Sequence, residues 1–179
     1  AFRNAIKDPT DCVVYVNLEP CNIKSKTPPC TEFLIGNGAS EVFISNIDPN
    51  PDISGNGIKQ LNRANIKTHL GILDKESREL NKGFYKWVKT GYPWVIAKVA
   101  QSANGYMGID NDSSHWITND ISKKHTHKLR SRVDAIFIGK NTAKVDNPSL
   151  TVRLIDGKNP KRVIADTNRT LPQNLKIFN

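Results

Sequence analysis

The chain has 179 residues, with a third or so of them apolar, three cysteines and a net charge of +9. That length can bury one good core or two small ones. No apolar run approaches membrane-spanning length, no basic-plus-apolar leader opens the chain, and a disulfide-stapled secreted module would carry more cysteines in a shorter chain, so a soluble, cytoplasmic protein with no membrane partner is expected. The basic residues are scattered, with few aromatics among them, which sets nucleic acid aside and leaves phosphorylated small molecules or a lysine-rich solvated surface.

In chain order, residues 1–7 resemble the end of a helix, broken by Asp8-Pro9-Thr10-Asp11. Residues 13–17 predict a short buried strand, and Cys12 beside them a buried strand residue. A helix is expected over 31–37, with Gly38 as its C-cap. Residues 41–45 predict a second strand, with Asp48-Pro49-Asn50-Pro51 at its carboxyl end. An amphipathic helix over 57–64, a strand over 66–70 and a helix over 74–88 follow, the last with Leu80, Phe84, Trp87 and Val88 near a 3.6 period. Thr90-Gly91-Tyr92-Pro93 marks a domain boundary, giving domains over 1–90 and 91–179. Residues 94–100 open a new β pattern, Thr118-Asn119-Asp120 caps a helix to about Val133, and strands are expected over 135–138 and 162–165. Strand–helix alternation of this kind predicts α/β domains, each a sheet covered by helices.

The stretch richest in chemistry is Leu18-Glu19-Pro20-Cys21 followed by Thr27-Pro28-Pro29-Cys30. Two thiolates are suitable soft ligands for Zn²⁺ and need one or two more to complete a tetrahedron. A helix starting at Cys30 would lower its thiol pKa, and the prolines stiffen the loop. By spacing alone, two ordinary buried cysteines or a disulfide fit equally well.

Leu-Glu-Pro-Cys and Thr-Pro-Pro-Cys together resemble the zinc nucleoside and nucleotide deaminases, and the wide cysteine gap resembles the bifunctional deaminase–reductases of riboflavin biosynthesis. Further words carry the resemblance: Lys98-Val99-Ala100-Gln101-Ser102, Ser114-His115-Trp116-Ile117-Thr118, His127-Lys128-Leu129-Arg130, and Asp146-Asn147-Pro148-Ser149-Leu150-Thr151-Val152-Arg153. The resemblance implies a cytidine-deaminase-like three-layer domain followed by the first part of a dihydrofolate-reductase-like α/β domain. It implies Zn²⁺ on Cys21 and Cys30, with the third ligand and the proton-moving Glu in a His-Ala-Glu motif that family spacing puts ahead of Ala1. Lys26, Asp48 and Asn50 are implied substrate contacts in the first domain. In the second, NADPH contacts are implied at Ala100, Trp116, Thr142, Asp146 and Thr167, and substrate contacts at Ser114, Arg130, Leu150 and Arg153. The implied substrate is a phosphorylated pyrimidine, deaminated hydrolytically and then reduced from ribosyl to ribityl; an exposed half-sheet would favour association, so a homo-oligomer is expected. A deaminase of free nucleosides or nucleic acid, and an inactive, zinc-stabilised binding module, are the competing expectations. Asn104, Ile23 and Lys123 depart from the family's usual residues.

Overall fold

Short runs of β-branched and aromatic residues build one parallel sheet from β1 (Val13–Val16), β2 (Glu41–Ile44) and β3 (Lys67–Leu70), in that order. The computed structural model describes residues 9–108 and 116–179, so the helix expected over 1–7 and the site residue Ser114 lie outside the described residues. The chain divides into two compact units, Ala1–Ile96 and Ala97–Asn179.

In the first unit the register aligns Val14 with Val42 and Thr68, and Val16 with Ile44 and Leu70. Val42 and Ile44 are fully buried against Leu34 of α1 (Cys30–Gly36) and Leu61 of α2 (Asn56–Arg63). Burial of each such side chain contributes roughly 1.5–3 kcal/mol. The alternate row points the other way. Tyr15, Phe43 and His69 stack across the strands at ring-centroid distances of 4.8 and 4.3 Å. Tyr15 stays 66% exposed, so β1 is a one-sided strand rather than the buried one expected, and Cys12 before it is only half-buried. Gly38 takes a left-handed φ of +66° beside the end of α1, as its C-cap role requires.

The single helix expected over 74–88 is two, α3 (Asp74–Leu80) and α4 (Lys82–Thr90). Asn81 sits between them with φ −99° and ψ 12°. Two weak helix formers, Asn81 and Gly83, lie within three residues, which is reason enough for a break. The apolar stripe predicted on this segment is exposed at Leu80, Phe84 and Trp87.

The second unit contains α5 (Asp120–Arg130), β4 (Ala135–Gly139), α6 (Lys140–Asp146) and β5 (Lys161–Ala165), with β4 and β5 parallel. Asn119 caps α5 as predicted, its side-chain oxygen accepting from the Ser122 amide at 3.0 Å. The helix ends at Arg130, three residues short of the expected stop. Ile136, Ile138 and Ile164 pack on Ala143, Leu150, Leu171, Leu175 and Ile177, while Phe137 points outward, so β4 too is one-sided. Residues 94–100 form no strand: no ladder partner pairs with them among the described residues, and Trp94, Val95 and Val99 are exposed. Among the described residues no helix is long and apolar enough to cross a membrane.

Candidate functional site

All three strands of the first sheet end at one edge, and the loops leaving β1 and β2 carry the predicted residues there. Cys21 follows β1 and Cys30 opens α1, whose first amide points at the Cys21 sulfur with N···S 3.4 Å. Thr31 fixes this approach. Its amide donates to the Cys21 carbonyl at 3.1 Å, and its hydroxyl donates to Gln60 Oε1 at 2.8 Å while lying 3.2 Å from the same Cys21 carbonyl. No disulfide joins the cysteines; all three are free. Burial and the neighbouring Cys21 thiol push the Cys30 thiol above its ordinary value, against the helix-start effect expected from sequence. Two thiols held this close disfavour a second negative charge.

Asp48 and Asn50 form the turn after β2. Asp48 Oδ1 accepts from the Asn50 amide at 2.8 Å, and Asn50 Oδ1 from the Asp52 amide at 3.1 Å. Asp48 is 4% exposed, and its carboxyl titrates above the usual range because it is buried, with the Glu19 charge adding to the shift and the Asn50 amide opposing it. Lys26 lies in the exposed loop between the cysteines, its amide bonded to Ser25 Oγ.

What joins these loops is Glu19. It is 3% exposed, and its carboxylate accepts from the amides of Asp48 at 3.2 Å, Gly55 at 2.9 Å and Ile58 at 3.2 Å. Its own amide donates to the Asn46 carbonyl at 2.9 Å. The β1 loop, the β2 turn and the start of α2 thus meet on one side chain. Gly57 completes the fit: a Cβ there would stand 2.0 Å from the Pro20 carbonyl oxygen. Only glycine lets α2 come so close to the residue before Cys21.

In the second unit Arg130, Leu150 and Arg153 come together. Arg130 Nη1 donates to the Thr151 carbonyl at 2.6 Å, and its Nε is buried without a partner among the described residues. Leu150 adopts a left-handed φ of +52° with its side chain in the core, turning the chain between Ser149 and Thr151. Burial and the nearby Arg153 charge lower the Arg130 pKa. No carboxylate pairs with Arg130 or Arg153 among the described residues.

The predicted cofactor residues are less gathered. Thr142 and Thr167 are exposed near the carboxyl ends of β4 and β5. Between them Lys140 Nζ lies 3.6 Å from Asp166 Oδ1. Although burial would raise it, the Asp166 carboxyl is lowered by the Leu171 amide and by Lys140. Asp146 closes the far end of α6, and Trp116 is 64% exposed with Lys123 Nζ 4.6 Å from its ring centroid. No described hydrogen bond ties Ala100 or Trp116 to α6.

Residues 93–179 match the profile of the RibD C-terminal domain. The riboflavin biosynthesis protein RibD of Bacillus amyloliquefaciens is 41% identical over 166 residues, which are 92% of this chain and 45% of that protein. The solved RibD of Acinetobacter baumannii is 36% identical and aligns over 99% of this chain and 51% of its own, with a TM-score of 0.90. Residues 93–179 thus carry the RibD C-terminal domain, and the chain is similar to RibD proteins over nearly all its length. A solved Thermotoga maritima protein, titled a diaminohydroxyphosphoribosylaminopyrimidine deaminase/5-amino-6-(5-phosphoribosylamino)uracil reductase, is 36% identical with a TM-score of 0.85 over 96% of this chain and 49% of its own. The chain spans about half the length of the curated relatives it matches.

Cavities do not mark these sites. One of about 470 Å³ opens at the amino-terminal ends of β4 and β5, lined by Arg132, Asp134, Lys158 and Lys161. Another of about 390 Å³ flanks β5 at Arg162, Asp166 and Arg169. Converging chemistry outweighs volume here, because neither cavity includes Arg130, Arg153 or Thr142. In the first unit the two free thiols are suitable donors for Zn²⁺, and no third His, Cys, Asp or Glu joins them among the described residues. Sequence reasoning assigned Glu19 and His127 no site role. Glu19 stands two residues before a cysteine and His127 three before an arginine, and only the pairing of those neighbours with distant amides gives either one a signal.

Proposed function

We propose that this chain contributes to riboflavin biosynthesis through two chemistries, hydrolytic deamination of a phosphoribosylaminopyrimidine and NADPH-dependent reduction of its ribosyl group. The observation that carries the proposal is the meeting of Arg130, at the end of α5, with Arg153, just after the strained Leu150 turn, where no carboxylate among the described residues pairs with either. Two guanidiniums so placed suit a sugar phosphate, which they bind by charge-assisted, bidentate bonds.

Cys21 and Cys30 would hold Zn²⁺, with a further ligand from the family's His-Ala-Glu motif, and the metal when bound supplies an activated water for loss of the ring amine. This chain's residues position the pyrimidine beside it. The buried Asp48 and its Asn50 turn follow β2 at the same sheet edge as the thiols, and Lys26 adds an exposed cation in the loop between the cysteines. In the second unit Ala100, Trp116, Thr142, Asp146 and Thr167 would hold NADPH, which supplies the hydride. Exposed hydroxyls at Thr142 and Thr167 suit ribose or phosphate oxygens, and the face of Trp116 suits a flat ring.

The test uses the full chain, reduced. Titration with Co²⁺ is expected to give a thiolate-to-cobalt charge-transfer band that Cys21→Ser and Cys30→Ser each abolish. Ribose 5-phosphate is expected to bind, with affinity falling roughly tenfold or more in Arg153→Ala. Absence of the cobalt band with both thiols reduced overturns the metal half, and equal sugar-phosphate affinity in Arg153→Ala overturns the other.

A further inference from the structure

His127 is 4% exposed on α5, one turn before Arg130. Its Nδ1 accepts from the amide of Arg153 at 3.0 Å and from that of Leu154 at 3.4 Å. A nitrogen accepting two N–H bonds carries no proton, so this network assigns the ring proton to Nε2 and the neutral form to the ring. Arg130, on the same face three residues on, donates to the Thr151 carbonyl at 2.6 Å. The helix therefore holds the 151–154 segment at two points, accepting from it through His127 and donating to it through Arg130. Asn159 closes the other side, its Oδ1 accepting from the Val152 amide at 2.7 Å. With these bonds made, the backbone that carries Arg153 has little freedom left.

We infer that His127 is the positioning residue for the Arg130–Arg153 pair, holding Arg153 where an anionic sugar phosphate meets both guanidiniums. The inference rests on the phosphate reading of that pair. The charged groups that face the ring are Arg130 on its own helix and Arg153 on the loop packed against it. Burial first, then these two cations, lower the His127 pKa, which keeps the ring an acceptor near neutral pH. A carboxylate in its place would accept the same amides but would neutralise the arginines. A neutral imidazole holds the loop and leaves the positive field free for a ligand.

The test uses the ¹⁵N-labelled full chain at pH 7.5, with ribose 5-phosphate as the probe. In the wild-type chain, long-range ¹H–¹⁵N correlations are expected to show His127 Nδ1 unprotonated. His127→Ala is expected to shift the Arg153 and Leu154 amides and to weaken ribose 5-phosphate by about tenfold. His127→Asn, whose Oδ1 can stand where Nδ1 stands, is expected to keep the amides in place and the affinity within about twofold of wild type. Should His127→Ala unfold, His127→Gln, whose polar group lies one carbon further out, takes its place with the same expected loss. A protonated Nδ1 in the wild type, or wild-type affinity in His127→Ala or its substitute, overturns the inference. So does an equal loss in His127→Asn. If the wild type binds ribose 5-phosphate and the alanine variant binds it equally, only the positioning role falls. If the wild type binds none, the phosphate reading falls too.

Discussion

In the first unit a buried carboxylate ties the ligand-edge loops together; in the second a buried imidazole does the same work. Glu19 collects three amides from the β2 turn and the start of α2, where backbone N–H groups cluster and an anion is favoured. His127 collects two amides beside two arginines, where an anion would quench the charge the site offers. The chemistry of each acceptor follows from the sign of its surroundings. Donors without nearby cations take a carboxylate; donors beside cations that must stay available take a neutral ring. The two sites therefore respond differently to acid and to substitution.

The largest expected effect is at Glu19. Glu19→Ala leaves three amides without their acceptor and should cost the first unit roughly 3–5 kcal/mol, seen as a lowered unfolding midpoint in urea. An unchanged midpoint would show that water or a shifted loop replaces the carboxylate. Next is Gly57→Ala, where the new methyl meets the Pro20 oxygen at 2.0 Å. We expect a loss of about 1–3 kcal/mol together with a weaker Co²⁺ band, because the backbone that must yield leads directly into Cys21. A third test separates the units by pH. The lowered His127 pKa means that the stability it lends is complete above about pH 6.5, the ordinary histidine value, and is lost as pH falls through the lower folded value. Amides of Arg153 and Leu154 should open to hydrogen exchange on that acid side while Val42 stays protected, and His127→Asn should remove the dependence. Asp48→Asn should stabilise the first unit by about 1 kcal/mol at neutral pH, since the buried carboxylate is unfavourably ionised and an amide oxygen can still accept from Asn50. The smallest effect is expected for Lys67→Ala. Its pair with Glu41 spans 3.7 Å with the lysine 76% exposed, so thermal unfolding should move by less than about 0.5 kcal/mol.

Much of the fold was legible because it is local. The strands 41–45 and 66–70, the Asn119 cap and the Gly38 turn each follow from a few adjacent residues, and each stands within a residue or two of its expected place. The failures share a cause. Residues 94–100 have a strand's composition, but a strand needs a partner, and composition does not say whether one is paired. The helix over 74–88 has a helix's period, and its break at Asn81 and its exposed Leu80 and Phe84 depend on what packs against it.

The sequence by itself determined the resemblance to the riboflavin deaminase–reductases, the α/β alternation and the words that carry Cys21, Cys30, Asp48, Arg130 and Arg153, because motif chemistry is written in neighbouring residues. Only the tertiary structure decided that Glu19 joins two loops 29 residues apart in sequence, that Gly57 lies against Pro20, and that His127 holds the turn before Leu154. A buried acceptor is defined by the amides that converge on it, and those come from distant parts of the chain that meet only when the sheet and its helices have formed.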